Sequence, residues 1–135
     1  MLAYLLVALG GALGSVARYG FSGWIGGMTE RQGSLFPWGT LAVNITGSFL
    51  IGFLFALSEP GGRRWVGPTG REFFMYGVCG GYTTFSSFSL QTLNLLQDGE
   101  WLQAGGNVLL SVVLCLIGVW LGYFLGATLN SMKGS

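Results

Sequence analysis

Charge is missing from four long stretches of this chain, and that constrains its fold more than any motif. Uncharged runs cover Met1–Ala17, Gln32–Ser58, Phe73–Gln97 and Trp101–Met132. A helix needs about 20 mostly apolar residues to cross a bilayer. The last three runs meet that length as they stand. The first meets it if Arg18 lies near or within the helix and the span continues toward Trp24. Only 8% of the 135 residues are charged, against roughly 25% in soluble domains. The expectation is an all-α membrane protein: a single four-helix transmembrane domain over residues 1–135, with little chain left for anything soluble. A signal peptide is the rival reading of the first run. Met1-Leu2-Ala3-Tyr4 lacks the basic start it would want, and Gly10, Gly11 and Gly14 look like helix packing.

The same residues exclude several functions. A net charge of +1, with no basic cluster beyond Arg63-Arg64, gives no footprint for nucleic acid. Cys79 and Cys115 both fall in apolar spans, and two cysteines without a histidine make no zinc site. The absence of histidine also removes its usual acid–base chemistry, and no nucleophile–base pair stands out. An enzyme is not expected.

Helix 1 is expected from about Leu2 to Trp24, followed by a Gly-rich loop over Ile25–Leu35. Pro37 opens helix 2, where its missing N–H is harmless, and that helix continues to about Leu57. Breakers crowd Ser58–Gly70. Helix 3 covers roughly Arg71–Leu96, Asp98-Gly99-Glu100 makes a turn, and helix 4 runs from Trp101 to about Asn130. Basic residues set orientation. Arg63, Arg64, Arg71 and Lys133 fall on one side, against Arg31, with Arg18 if it reaches that interface. This is a modest bias toward a cytoplasmic N-terminus and leaves room for a mixture of both orientations.

Helix 3 contains a stretch that writes a membrane helix badly: Gly80-Gly81-Tyr82-Thr83-Thr84-Phe85-Ser86-Ser87-Phe88-Ser89. A break at Gly80–Thr84 is tolerated at membrane depth only where the backbone is buried or lines a cavity. Freed carbonyls are hard ligands suited to sodium. The plainer alternative is a glycine kink patched by the Thr83 and Thr84 hydroxyls. Phe85 and Phe88 share a helix face, either as ordinary core or as ring edges offered to an anion, with Ser86, Ser87 and Ser89 as nearby donors. Helix 2 carries Thr40, Asn44 and Ser48 one turn apart. Helix 4 carries Asn107, Ser111 and Cys115 at the same spacing. Each polar residue is either interhelical glue or the lining of a wet path. Two stripes beside a broken helix favour the path. Gly118, Gly122 and Gly126 form a groove on helix 4 for another helix, in the same subunit or in a second one. Arg18 either snorkels to the interface or draws anions toward a pore mouth.

Arg18 after a Gly-rich first helix, Pro37-Trp38-Gly39-Thr40-Leu41-Ala42-Val43-Asn44, and the Gly80–Ser89 stretch together resemble the Fluc (CrcB-type) fluoride channels. The resemblance covers the whole chain in length, span number and motif order. It implies an antiparallel, dual-topology homodimer in a prokaryotic plasma (inner) membrane, with two pores that export cytoplasmic fluoride passively. It also implies a structural sodium ion at the dimer centre, held by backbone carbonyls of Gly80 and Thr83. The fluoride pore would be lined by Asn44, Thr84, Phe85, Ser87, Phe88, Asn107, Ser111 and Cys115, with Arg18 as a charge at its mouth. The chain departs from the family pattern at Gln91, where an acidic residue is frequent, at Asn107, where a tyrosine is, and at Cys115, where a serine is.

Two rivals remain. A proton-coupled exporter of the small multidrug type would need a carboxylate within a span, whereas Glu59, Glu72, Asp98 and Glu100 fall at ends or in loops. A non-transporting assembly subunit would explain the glycine grooves, but neither the polar stripes nor the break.

Overall fold

The computed structural model describes residues 1–60 and 65–132. Its regular elements are helical: α1 (Leu2–Arg31), α2 (Trp38–Ser58), α3, α4 (Phe85–Gln97) and α5 (Trp101–Met132). The third of these, α3, is a continuous run made of Pro68–Gly70, a π-helical Arg71–Cys79 and Gly80–Tyr82. Arg63, Arg64 and Lys133, on which the orientation bias partly rests, lie outside the described residues.

Among the described residues, three helices are long and apolar enough to cross a membrane: α1, α2 and α5. α1 runs past the expected end at Trp24, and the Gly-rich segment up to Arg31 is helical. Thr29 supports this extension by donating its hydroxyl back to the carbonyls of Ile25 and Gly26. At 1.5 Å per residue the helix is about 45 Å long, more than the roughly 30 Å hydrocarbon core. Its end, with Glu30 and Arg31, therefore reaches water. Gly33 then turns the chain at a φ of 80°, open to glycine at no steric penalty.

Two helix pairs dominate the packing, α2 on α5 and α1 on α3. Small residues set both. A Cβ on Gly122 would strike the Phe49 carbonyl of α2, and the flanking Gly118 and Gly126 meet the Ile45 and Phe53 carbonyls. The groove on α5 thus seats a helix of the same chain. Gly10 and Gly14 of α1 lie equally close to the α3 backbone near Phe73, Gly77 and Val78. A buried polar residue also links the first pair: Asn130 near the end of α5 donates to the Ala56 carbonyl of α2 over 3.2 Å.

The π-helical segment had no counterpart in the sequence reading. The Gly80 N–H reaches back to the Met75 carbonyl, the i→i+5 pattern. Met75 and Cys79 are buried, and Gly77 lies between them against the Gly10 backbone. Gly77 thus faces α1, while Met75 and Cys79 line spaces shared with α2 and α5.

Candidate functional site

Between α3 and α4 the chain leaves helical geometry at two residues. Thr83 has φ −82° and ψ 155°, and Thr84 has φ −150° and ψ 113°. Gly80, Gly81 and Tyr82 stay helical, so the irregular segment is shorter than the Gly80–Thr84 expectation and lies at its C-terminal end. Gly47 of α2 makes room for it: a Cβ there would collide with the Thr83 side chain and the Tyr82 ring.

An extended segment inside a helix bundle must find partners for its backbone. Asn44 supplies them. Its Nδ2 donates to the Thr84 carbonyl over 3.0 Å, and the Thr84 N–H donates to its Oδ1 over 2.8 Å. The amide is thereby fixed in orientation, with a second Nδ2–H not used by this pair. Thr84 also caps α4, its Oγ1 accepting the Ser87 N–H over 3.2 Å. Its own proton goes to the Ser87 Oγ. Thr83 turns its hydroxyl back to the Cys79 carbonyl over 3.0 Å.

These diversions release two particular carbonyls. In an unbroken helix the Thr84 N–H would bond Gly80 O, and the Ser87 N–H would bond Thr83 O, four residues back. Here those donors go to Asn44 Oδ1 and Thr84 Oγ1 instead. Gly80 and Thr83 thus keep carbonyl oxygens free of their helical partners, and Gly80 is exposed. Such oxygens suit a hard, weakly charged cation. Among the described residues no cluster of His, Cys, Asp or Glu offers another metal set. The donor chemistry at Gly80 and Thr83 therefore fits sodium.

Arg18 sits beside the same break. Its Nε donates to the Gly81 carbonyl over 3.1 Å, from a partly buried position on α1. It satisfies one oxygen at the C-terminal end of α3, where a cation also complements the helix dipole.

A groove of about 410 Å³ opens along the break. Asn44 and Ser48 of α2 face Ser111 and Cys115 of α5 across it, with Thr83, Thr84, Phe85 and Phe88 between. The two rings lie 5.3 Å apart between centroids and are tilted by 47°. Phe88 is partly covered, whereas Phe85 is 78% exposed on the single chain. Nine of the candidate residues singled out in the sequence line this space: Asn44, Ser48, Gly80, Thr83, Thr84, Phe85, Phe88, Ser111 and Cys115. Arg18, Ser87 and Asn107 are not among its lining residues. Asn107 is 1% exposed and joins α5 to α4 by donating to the Thr92 Oγ1 over 2.9 Å. Thr92 was not foreseen, because a helical threonine normally bonds its own preceding turn and gives no signal.

A second recess, of about 680 Å³, lies beside the segment joining α1 to α2. Tyr19, Ser22, Trp38, Thr40, Gln91 and Asp98 are among its lining residues. Thr40 lies here and Asn44 one turn on in the groove, so the α2 stripe passes from one space to the other.

This geometry has counterparts in known proteins. Residues 5–123 match the family described as CrcB-like protein, Camphor Resistance (CrcB). The chain belongs to the CrcB-like family. A protein of Opitutus terrae named fluoride-specific ion channel FluC is 61% identical over 132 residues, covering 98% of each chain. Its namesake in Rhodospirillum rubrum is 60% identical over 126 residues, covering 93% of this chain and 95% of the other. A third, from Methylocella silvestris, is 52% identical over 98% of both. With three apolar spans and this family, the CrcB-like chain is an integral membrane protein.

Proposed function

We propose that the chain is a fluoride-selective channel that lets fluoride leave the cytoplasm passively across a prokaryotic inner membrane. The observation that carries this reading is the groove itself. Amide, hydroxyl and aromatic groups line one narrow space beside a helix break, in a chain whose relatives are named fluoride-specific ion channels.

Fluoride is small and holds water strongly, so a path must replace hydration with several weak donors that also let the ion go. The Asn44 amide is fixed by Thr84 and keeps a second N–H for the ion. The start of α4 adds a positive dipole end at Phe85, and ring edges of Phe85 and Phe88 add partial positive charge. The stripe Thr40, Asn44, Ser48 leads from the polar recess into the groove. Chloride, being larger, would meet the same donors at the wrong spacing.

The working unit in this reading is a dual-topology homodimer with two pores. Phe85, largely exposed on one chain, is then covered by a second copy, which completes the wall of the groove. A structural sodium ion would be held by the Gly80 and Thr83 carbonyls of both copies. Bound there, it would neutralise the oxygens that the break releases and tie the subunits together. The break thus serves two charges, a fixed cation on the α3 side and a moving anion on the α4 side.

Fluoride efflux from liposomes tests the assignment of the wall. Phe88→Ile and Phe85→Ile, each purified as a stable oligomer, should lose most fluoride flux. Flux equal to the parent protein in both would overturn it.

A further inference from the structure

We infer that Thr92 is a positioning residue that turns the Ser111 hydroxyl proton away from the groove, keeping that wall a weak site for the ion. The inference rests on the channel reading above and concerns residues outside the motifs that carry it.

The direction of each hydrogen bond follows from a single fixed point. The Phe88 carbonyl can only accept, and the Thr92 hydroxyl lies 2.8 Å from it, so Thr92 spends its one proton there. Thr92 Oγ1 can then only accept from Asn107, whose Nδ2 lies at 2.9 Å. The Asn107 amide is therefore fixed, with Oδ1 toward Ser111. Ser111 Oγ, 3.3 Å away, must donate to it. Asn107 is 1% exposed and Ser111 8%, so the inner end of this relay is buried, while Thr92 is half-buried. Ser111 lines the groove next to Cys115, yet its only proton is committed behind the wall. Toward the groove it presents lone pairs, which do not hold an anion.

The last bond is also the longest of the three, 3.3 Å against 2.9 and 2.8 Å. Ser111 is thus the member most easily redirected. Removing the Thr92 oxygen leaves the Asn107 amide without its acceptor. The amide can then rotate its NH₂ toward Ser111, and the released Ser111 proton faces the groove as a new donor for fluoride. A tighter site fills at lower concentration and empties more slowly.

The experiment measures initial fluoride efflux from liposomes as a function of internal fluoride concentration. Thr92→Val should lower the half-saturating concentration about 3- to 10-fold, the scale of one net hydrogen bond, and lower the maximal rate. Thr92→Ser, which keeps the hydroxyl, should behave as the parent. In a Ser111→Ala background, Thr92→Val should shift nothing further. Asn107→Ala, which frees the same proton by another route, should shift half-saturation in the same direction and serves if the valine variant does not fold. An unchanged or raised half-saturating concentration in these variants, or equal shifts for Val and Ser, would overturn the inference while leaving the channel reading intact. No fluoride flux from the parent protein would overturn the channel reading and the inference with it.

Discussion

Asn44 and Thr84 are joined by two hydrogen bonds, of 3.0 and 2.8 Å, so one side chain of α2 does for an extended residue what a neighbouring strand would do in a sheet. The pair holds the interruption between α3 and α4 open. Asn44 thus acts directly on the backbone of the break.

Asn44→Leu would leave the Thr84 N–H without its acceptor, at about 1–3 kcal/mol, while the Thr84 carbonyl loses one donor but still starts the α4 ladder. The purified variant should melt at a clearly lower temperature than the parent. Asn44→Asp separates the two roles. A protonated Asp can remake both bonds, whereas the carboxylate sets a negative oxygen against the Thr84 carbonyl. The folded state then binds the proton more tightly than the unfolded state, so the stability deficit should grow as pH rises and shrink toward acid pH. A deficit independent of pH would contradict this account of the pair.

Arg18 donates to the Gly81 carbonyl at 3.1 Å, which makes it a brace for the end of α3. A field effect at a pore mouth would survive Arg18→Lys, because the charge remains. A brace would not, because the ammonium lacks the Nε geometry. Arg18→Lys and Arg18→Gln should both destabilise the protein by about 1.5–3 kcal/mol, the range for a hydrogen bond to a charged group. Thermal melts in detergent decide it, and full stability of the Lys variant would contradict the brace.

Glycine positions differ sharply in what they tolerate. Gly122→Ala forces a methyl group onto the Phe49 carbonyl and should cost about 1–3 kcal/mol through overpacking. Gly23→Ala meets nothing within 4 Å and should change stability little. Equal melting temperatures for the two variants would argue against the close α2–α5 approach.

The stripe residues were legible in the sequence because an amide or hydroxyl in an apolar helix needs a partner wherever it lies. Who the partner is was not legible. Asn44 bonds a residue 40 positions away, and Asn107 one 15 positions away. The three glycines of α5 announced a close helix contact, while only the packing shows that α2 of the same chain fills it. The extension of α1 past Trp24 was hidden by its glycines, which weaken a helix locally but do not end one that is otherwise supported. The π-helical turn over Arg71–Cys79 left no trace in composition.

The carbonyls of Gly80 and Thr83 make a prediction about salt. If two copies share a sodium ion there, exchanging sodium for a large organic cation during purification should lower dimer stability, and adding sodium back should restore it. Size-exclusion profiles and melts under both conditions report this. Identical profiles in both cations would count against a sodium role.

The most direct measurement compares fluoride with chloride. The purified chain is reconstituted into liposomes loaded with either salt, and efflux is followed with an ion-selective electrode after the potassium shunt is opened. Rapid fluoride loss with chloride retained is the predicted result. Chloride leaving as fast as fluoride, or neither ion leaving, would contradict the account.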